Sequence, residues 1–238
     1  MRELNYIDET IEKNENPALR IGSVGRSALS TVYLMDCIEA MKQFPDKFFD
    51  LAVVDPPYGI AKWSNGSGAN TLSDSEKNKI NNWDAQVPTK EYYRELFRVS
   101  KNQIVWGGNY FFENLGNCYH MIIWDKKNRG MHLADGEFAW TSYKKTAMRI
   151  FEKHLSQTEA RGITRIHATQ KPISLYDWIF KNYASEGNLI LDTHLGSQSS
   201  RIAANKAGLD FVGFEIDREY FDNGNTRFKN FVSQGVLF

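Results

Sequence analysis

Asp55-Pro56-Pro57-Tyr58 follows the apolar run from Phe49 to Val54, and each of its four residues has a separable physical job. Two consecutive prolines fix φ and remove backbone donors. A turn built this way can hold an acidic side chain and backbone carbonyl oxygens toward one point, beside an aromatic face. Acceptors with a stacking plate suit a planar base that carries an exocyclic amino group. The amino protons would bond to Asp55 and the Pro56 carbonyl while the ring lies on Tyr58. Taken alone, the same four residues could be a proline-rich turn with an incidental acid.

A second constellation is Asp192-Thr193-His194-Leu195-Gly196-Ser197-Gln198-Ser199-Ser200. Small residues between a strand and a helix let a ligand approach the backbone, and a helix N-terminus offers amides to a carboxylate or phosphate. Glu215 ends the next apolar run, 23 residues after Asp192, a spacing that suits an acid accepting from ribose hydroxyls. Its plainer role would be a favourable charge at the start of a helix. A nucleoside-containing ligand accounts for both features together. The histidines have no metal-ligand spacing, and Cys37 and Cys118 form no C-x-x-C, so neither a metal site nor a disulfide framework is expected.

These side chains need elements to carry them. Residues 30–36 read as a buried strand ending in Asp36, followed by a helix with Ile38, Met41 and Phe44 at helical spacing that Pro45 stops. Residues 49–55 form the next strand. A helix at about 89–99, strands near 103–106, 119–124 and 137–143, and a helix at 173–183 follow. A strand at 189–192, a helix at 197–207, a strand at 211–215 and a helix at 218–231 complete the series. Strand and helix alternating with acids at strand ends is the grammar of an α/β sheet. The first twenty residues read as an arm or short helix, and 145–166 as an irregular basic stretch. Residues 61–83, dense in Asn, Ser and Gly, are expected to form a mobile loop beside the Asp55 turn.

The match to a known family rests on several segments in order. Residues 33–60, YLMDCIEAMKQFPDKFFDLAVVDPPYGI, the segment His167-Ala168-Thr169-Gln170-Lys171-Pro172, DTHLGSQSS and GFEIDREYF together resemble the β-class amino-methylating DNA methyltransferases. Trp106-Gly107-Gly108-Asn109-Tyr110-Phe111 and Ile122-Ile123-Trp124-Asp125-Lys126 are similar to the phage and prophage members, and the group also serves restriction-modification. The resemblance covers most of residues 30–231. It implies a Rossmann-like, S-adenosylmethionine-dependent fold: a mixed, mostly parallel sheet with helices on both faces, circularly permuted so that the catalytic half comes first. It implies catalytic roles for Asp55, Pro56, Pro57 and Tyr58. It implies a cofactor site from Asp36, Cys37, Asp55, His167, Thr169, Gln170, Lys171, Pro172, Asp192, His194, Gly196, Ser197, Ser199 and Glu215. The chain departs from the family pattern at Ala168, where Pro is usual, at His194, where Phe is common, and at Gln198, where a second Gly lets the backbone approach the cofactor. A side chain at 198 would crowd the ligand or force a backbone change.

The composition sets the frame. The chain has 238 residues, 42% hydrophobic and 24% charged, which excludes collagenous and wholly disordered chains and suits a single globular domain over 1–238. Lys+Arg and Asp+Glu are both 29, so any hold on nucleic acid must be local. Residues 126–171 carry ten Lys or Arg against four Asp or Glu, the footprint of a phosphate-contacting surface, with Lys126, Lys127 and Arg129 as candidates. Solvated hairpin charge is the other account of that cluster. No apolar run approaches the roughly 20 residues that cross a bilayer, and the N-terminus lacks a signal-peptide core, so an intracellular, cytoplasmic protein is expected.

The expected function is therefore methyl transfer from S-adenosylmethionine to the N6 amino group of adenine in DNA, since Asp before the Pro-Pro pair is the adenine pattern in the resembled family. Cytosine-N4 methylation and a catalytically weak nucleic-acid-binding homologue are the alternatives. DNA is the expected partner, and a homodimer is allowed for.

Overall fold

The computed structural model describes residues 7–11, 29–60, 87–131, 134–145, 147–154, 166 and 170–235. The expected loop at 61–83, residues 155–165 of the basic stretch, and the site candidates His167 and Thr169 with Ala168 lie outside the described residues.

Nine strands form one sheet among the described residues: β1 (Ile7–Ile11), β2 (Leu29–Leu34), β3 (Phe49–Val54), β4 (Ser100–Trp106), β5 (Met121–Asp125), β6 (Gly136–Thr141), β7 (Met148–Glu152), β8 (Leu189–Asp192) and β9 (Asp210–Glu215). Their order across the sheet is β1-β2-β9-β8-β3-β4-β6-β5-β7. Every pairing is parallel except the two made by β6, which runs against both β4 and β5. The helices are α1 (Cys37–Met41), α2 (Lys90–Val99), α3 (Phe112–Leu115), α4 (Ile173–Tyr183), α5 (Ser199–Lys206) and α6 (Arg218–Gly235), with a 3-10 turn at Gly108–Tyr110.

Two-residue alternation along the central strands gives the sheet two apolar faces. Leu51 and Val53 of β3 pack with Ile104 and Trp106 of β4 toward Leu175 and Ile179 of α4 and Ala203 of α5. Ala52 and Val54 point the other way, with Val105 and Phe214, onto Ala40 and Met41 of α1 and Tyr92, Leu96 and Val99 of α2. Burial on both sides is why these strands read as nearly unbroken apolar runs. Among the described residues, no helix is long and apolar enough to cross a membrane.

Two segments differ from the sequence-based expectation. Residues 7–11 form an edge strand paired in parallel with β2, where an arm or short helix was expected. Residues 148–152 form β7 on the opposite edge, inside the stretch expected to be irregular. The exposed, non-alternating sequence Met-Arg-Ile-Phe-Glu carries no strand period, and its pairing with β5 supplies the order instead.

The topology concentrates the acids. Asp36 follows β2, Asp55 follows β3, and Asp192 and Glu215 end β8 and β9, so four carboxylates line the C-terminal edge of four neighbouring strands, β2-β9-β8-β3. The chain leaves β3 toward β4 and leaves β8 toward β9. That divergence between neighbours is the switch point at which open α/β sheets bind ligands.

Candidate active site

Asp55 sits in the turn after β3 with both carboxylate oxygens engaged. Tyr58 donates its hydroxyl to Oδ1 at 2.7 Å, and the Lys171 ammonium lies 2.5 Å from Oδ2. Lys171, just before α4, is almost fully buried and also meets Glu137 Oε2 at 3.0 Å and the Tyr58 hydroxyl at 3.1 Å. Glu137 enters from β6 and is held on its other oxygen by Lys126 at 2.5 Å. Charges therefore alternate along Lys126, Glu137, Lys171 and Asp55.

The pKa shifts follow from that order. Burial would raise Glu137, but Lys171 and Lys126 outweigh it and pull the carboxyl down to about 2. Burial raises Asp55, and Lys171 does not offset that together with the repulsion from Glu137. Burial opposes the Lys171 charge, yet Asp55 and Glu137 prevail and raise its pKa. Asp55 is thus a carboxylate poised toward protonation beside one that stays ionised.

Tyr58 is fixed from several sides. Its ring stacks on Tyr110 at 5.3 Å and 23° between planes, and Lys171 lies 5.6 Å from its centroid. Gly107, with φ of 69°, lies so close that a Cβ there would come within 2.3 Å of the ring. No other residue type fits at 107 without moving Tyr58. Pro56 is buried and Pro57 half-buried.

The second constellation lies across the same edge. Asp192 is buried and accepts from the Ser200 hydroxyl at 2.5 Å and the His194 amide at 3.0 Å; burial pushes its pKa up to about 7. Glu215 accepts three backbone amides, from Gly196, Ile216 and Asp217, each at 2.9 Å. Asp36 caps α1 through one oxygen, accepting from the Ile38 and Glu39 amides, and is exposed. Burial, with Asp36 beside it, pushes the Cys37 thiol up to about 12, so it is no nucleophile at neutral pH. Burial pulls His194 down to about 4 and keeps its ring neutral, edge-on to Tyr92.

Several expected site residues make contacts within the fold. Ser197 and Ser199 turn their hydroxyls toward each other at 3.1 Å, and Arg227 of α6 donates to Ser199, so these side chains face inward. Gln170 accepts from the Ile166 amide, and Pro172 stands at the N-terminal boundary of α4. Lys171, expected at the cofactor, stands on Asp55, which was expected there too. Gln198 adopts the left-handed conformation, φ 58°, in which Gly is favoured, and buries its side chain against α6. The expected crowding of the ligand by this residue does not arise from that rotamer.

Of the basic candidates, Lys126 pairs with an acid of the candidate site. It is only 12% exposed and serves Glu137, because β6 brings that acid alongside the end of β5. Lys127 and Arg129 are exposed and pair with Glu152 and Asp125, both at 2.6 Å. Sequence reasoning missed Glu137 and Tyr110. The available signal for Glu137 was an acid at the head of an otherwise apolar strand.

Comparison with known proteins meets the chain here. Residues 138–226 match the sequence model of a family described as DNA methylase, of the N6/N4 type. The chain is related to the amino-methylating DNA methyltransferases. The matched stretch runs from β6 into α6 and takes in Lys171, Asp192 and Glu215, whereas Asp55 lies before it. Type II methyltransferase M.HinfI of Haemophilus influenzae is 25% identical over 248 aligned positions, covering 84% of this chain and 68% of that protein. Type II methyltransferase M1.MboII of Moraxella bovis is 21% identical, over 83% of this chain and 95% of that protein. Among solved structures, the cytosine-N4-specific PvuII DNA methyltransferase superposes with a TM-score of 0.59 at 12% identity, over 87% of this chain and 91% of that one. M1.HpyAVI in complex with SAM gives 0.51 at 20% identity, over 82% and 97%. These likenesses show that the chain has the methyltransferase fold.

Proposed function

We propose that this protein methylates the N6 amino group of adenine in DNA, with S-adenosylmethionine as methyl donor. The observation that carries the reading is Asp55: a half-buried carboxylate in a two-proline turn, beside Tyr58, at the switch point of the sheet. The cofactor, when bound, supplies an electrophilic methyl group on a sulfonium. The residues present fit it. The exposed Asp36 and the amide-held Glu215 flank the Asp192–Gly196 turn as hydrogen-bond acceptors, and Gln198 is turned away into α6. That rotamer removes the steric reason for reading the chain as an inactive homologue.

The protein's part is positional and electrostatic. A base flipped out of the duplex would lay its ring by Tyr58 and direct its amino protons to Asp55 and the Pro56 carbonyl. Held this way, the amino group would keep its lone pair free for the methyl carbon, and the proton lost from nitrogen would pass by way of Asp55 to solvent. Positive charge appears on the nitrogen where Asp55 faces it. No covalent enzyme intermediate is needed, in keeping with the inert thiol of Cys37.

Incubating a defined DNA pool with labelled S-adenosylmethionine, followed by nucleoside analysis, tests the reading. N6-methyladenine is expected. N4-methylcytosine would move the acceptor to the other amino base, and unlabelled DNA from folded, cofactor-binding protein would overturn the assignment.

A further inference from the structure

Each carboxylate oxygen of Asp55 already accepts one donor, Tyr58 on Oδ1 and Lys171 on Oδ2, so an incoming amino group must share an oxygen with one of them or displace it. We propose that Lys171 is a placeholder for the substrate's amino group, and that Glu137 is the positioning residue that takes it over when the base arrives. The inference rests on the proposed amino-methyl transfer and deepens it.

The geometry already contains both ends of the exchange. An ammonium has three protons, and three oxygens stand around Lys171 Nζ: Asp55 Oδ2, Glu137 Oε2 and the Tyr58 hydroxyl. Surrendering Asp55 leaves the other two contacts. The ammonium thus stays paired throughout, and no buried charge is stripped, which is the costly event in such clusters. A cation at Asp55 keeps the carboxylate ionised until the base enters. During methyl transfer the same cation would oppose the positive charge growing on the amino nitrogen, since both would draw on one carboxylate at close range. Glu137 relieves that conflict. Its charge is secured from behind by Lys126, which is not bonded to Asp55.

Titratable groups face this cluster from every packed element. Asp55 and Tyr58 lie on the turn after β3, Glu137 on β6, Lys126 after β5, Tyr176 on α4 and Asp192 at the end of β8. Removing the Glu137 charge leaves Lys171 with Asp55 as its sole carboxylate, so Asp55 becomes more acidic and less available. Removing the Lys171 charge has the opposite effect on Asp55.

The test compares parent, Glu137→Gln, Lys171→Met and the double variant in single-turnover methylation at saturating cofactor, across pH. Glu137→Gln should slow transfer by about tenfold or more, with its acid limb moved to lower pH. Lys171→Met should move the acid limb to higher pH. The double variant should recover most of the lost rate above that limb, because the ion that blocked Asp55 has gone. A purely structural Glu137 would give losses that add. Calorimetry with S-adenosylhomocysteine reports which variants fold. If Glu137→Gln does not fold, the lysine ammonium resonance of the parent decides: it should shift when the target duplex and S-adenosylhomocysteine are added together. Unchanged rates in Glu137→Gln, a double variant no faster than Glu137→Gln, or an unmoved Lys171 resonance each overturn the exchange. A parent that binds cofactor and methylates no DNA overturns the functional reading itself, a result distinct from an active parent with an unimpaired Glu137→Gln.

Discussion

Arg201 donates from Nη1 to Gln198 Oε1 at 3.0 Å, beneath the turn that carries the proposed cofactor site, and both residues are fully buried. Gln198 Nε2 reaches Asn225 Oδ1 at 3.1 Å, and Arg201 bonds to Asn225 and Ser30 as well. A residue that from sequence looks like an obstruction is one corner of a buried polar network joining α5, α6 and β2.

Replacing Gln198 by Ala should therefore destabilise the fold by about 1–3 kcal/mol, the usual cost of leaving buried partners unsatisfied. Gln198→Gly should cost less, because glycine accepts the left-handed backbone without strain. Urea denaturation measures both. Affinity for S-adenosylmethionine, by calorimetry on the folded fraction, should change little in either.

Asp55→Ala should lower kcat by about 10²–10³ while leaving cofactor affinity nearly intact, by analogy with loss of one preorganised electrostatic group. In the parent, burial raises the Asp55 pKa, so activity should fall on acidification at a pH above the ordinary carboxylate range. A pH–rate profile checks the sign: ionised Asp55 is the active form, and protonation on the acid side removes it.

Tyr58 and Tyr110 separate capture from chemistry. Tyr58→Ala removes a ring worth roughly 1–3 kcal/mol wherever a base is held, so binding of the flipped base and turnover should both suffer. Tyr58→Phe keeps the ring and deletes only the hydroxyl on Asp55, and should retain base capture. Tyr110→Ala uncovers Tyr58, since the two rings are stacked. The fluorescence of 2-aminopurine at the target position follows the flipped base in all three.

The basic stretch predicts a split. If Lys127 and Arg129 meet phosphates, each neutral replacement should reduce the salt slope of DNA binding by about 0.9, across sequences. Lys126→Ala should leave that slope unchanged, because Lys126 serves Glu137. Equal slopes for all variants and parent would assign the exposed pair to Asp125 and Glu152 alone.

Asp192 sets a pH signature on stability. Burial pushes its pKa up to about 7, well above the unfolded value of about 3.9, so the folded protein binds more protons between those limits. Stability from this group is present at low pH and is lost as pH rises through that window. Asp192→Asn should remove the loss, so denaturation midpoints of variant and parent should diverge in the variant's favour from pH 4 to pH 7.

What the sequence by itself determined is local. Alternating or unbroken apolar runs and acids at the ends of residues 30–36, 49–55, 189–192 and 211–215 follow from side-chain period and chain order, and they were enough to expect an α/β sheet that delivers carboxylates at its strand ends. The tertiary structure alone decided which charges meet. Lys171 stands on Asp55 because α4 starts beside the turn after β3. Lys126 faces Glu137 because β6 runs antiparallel between β4 and β5, setting Glu137 opposite Trp124. The edge strands β1 and β7 exist by pairing, and Gln198 is buried because α6 covers its turn. Periodicity records which way a residue points along its own element, whereas ion pairs and edge strands depend on partners distant in the chain, whose arrival no local pattern encodes.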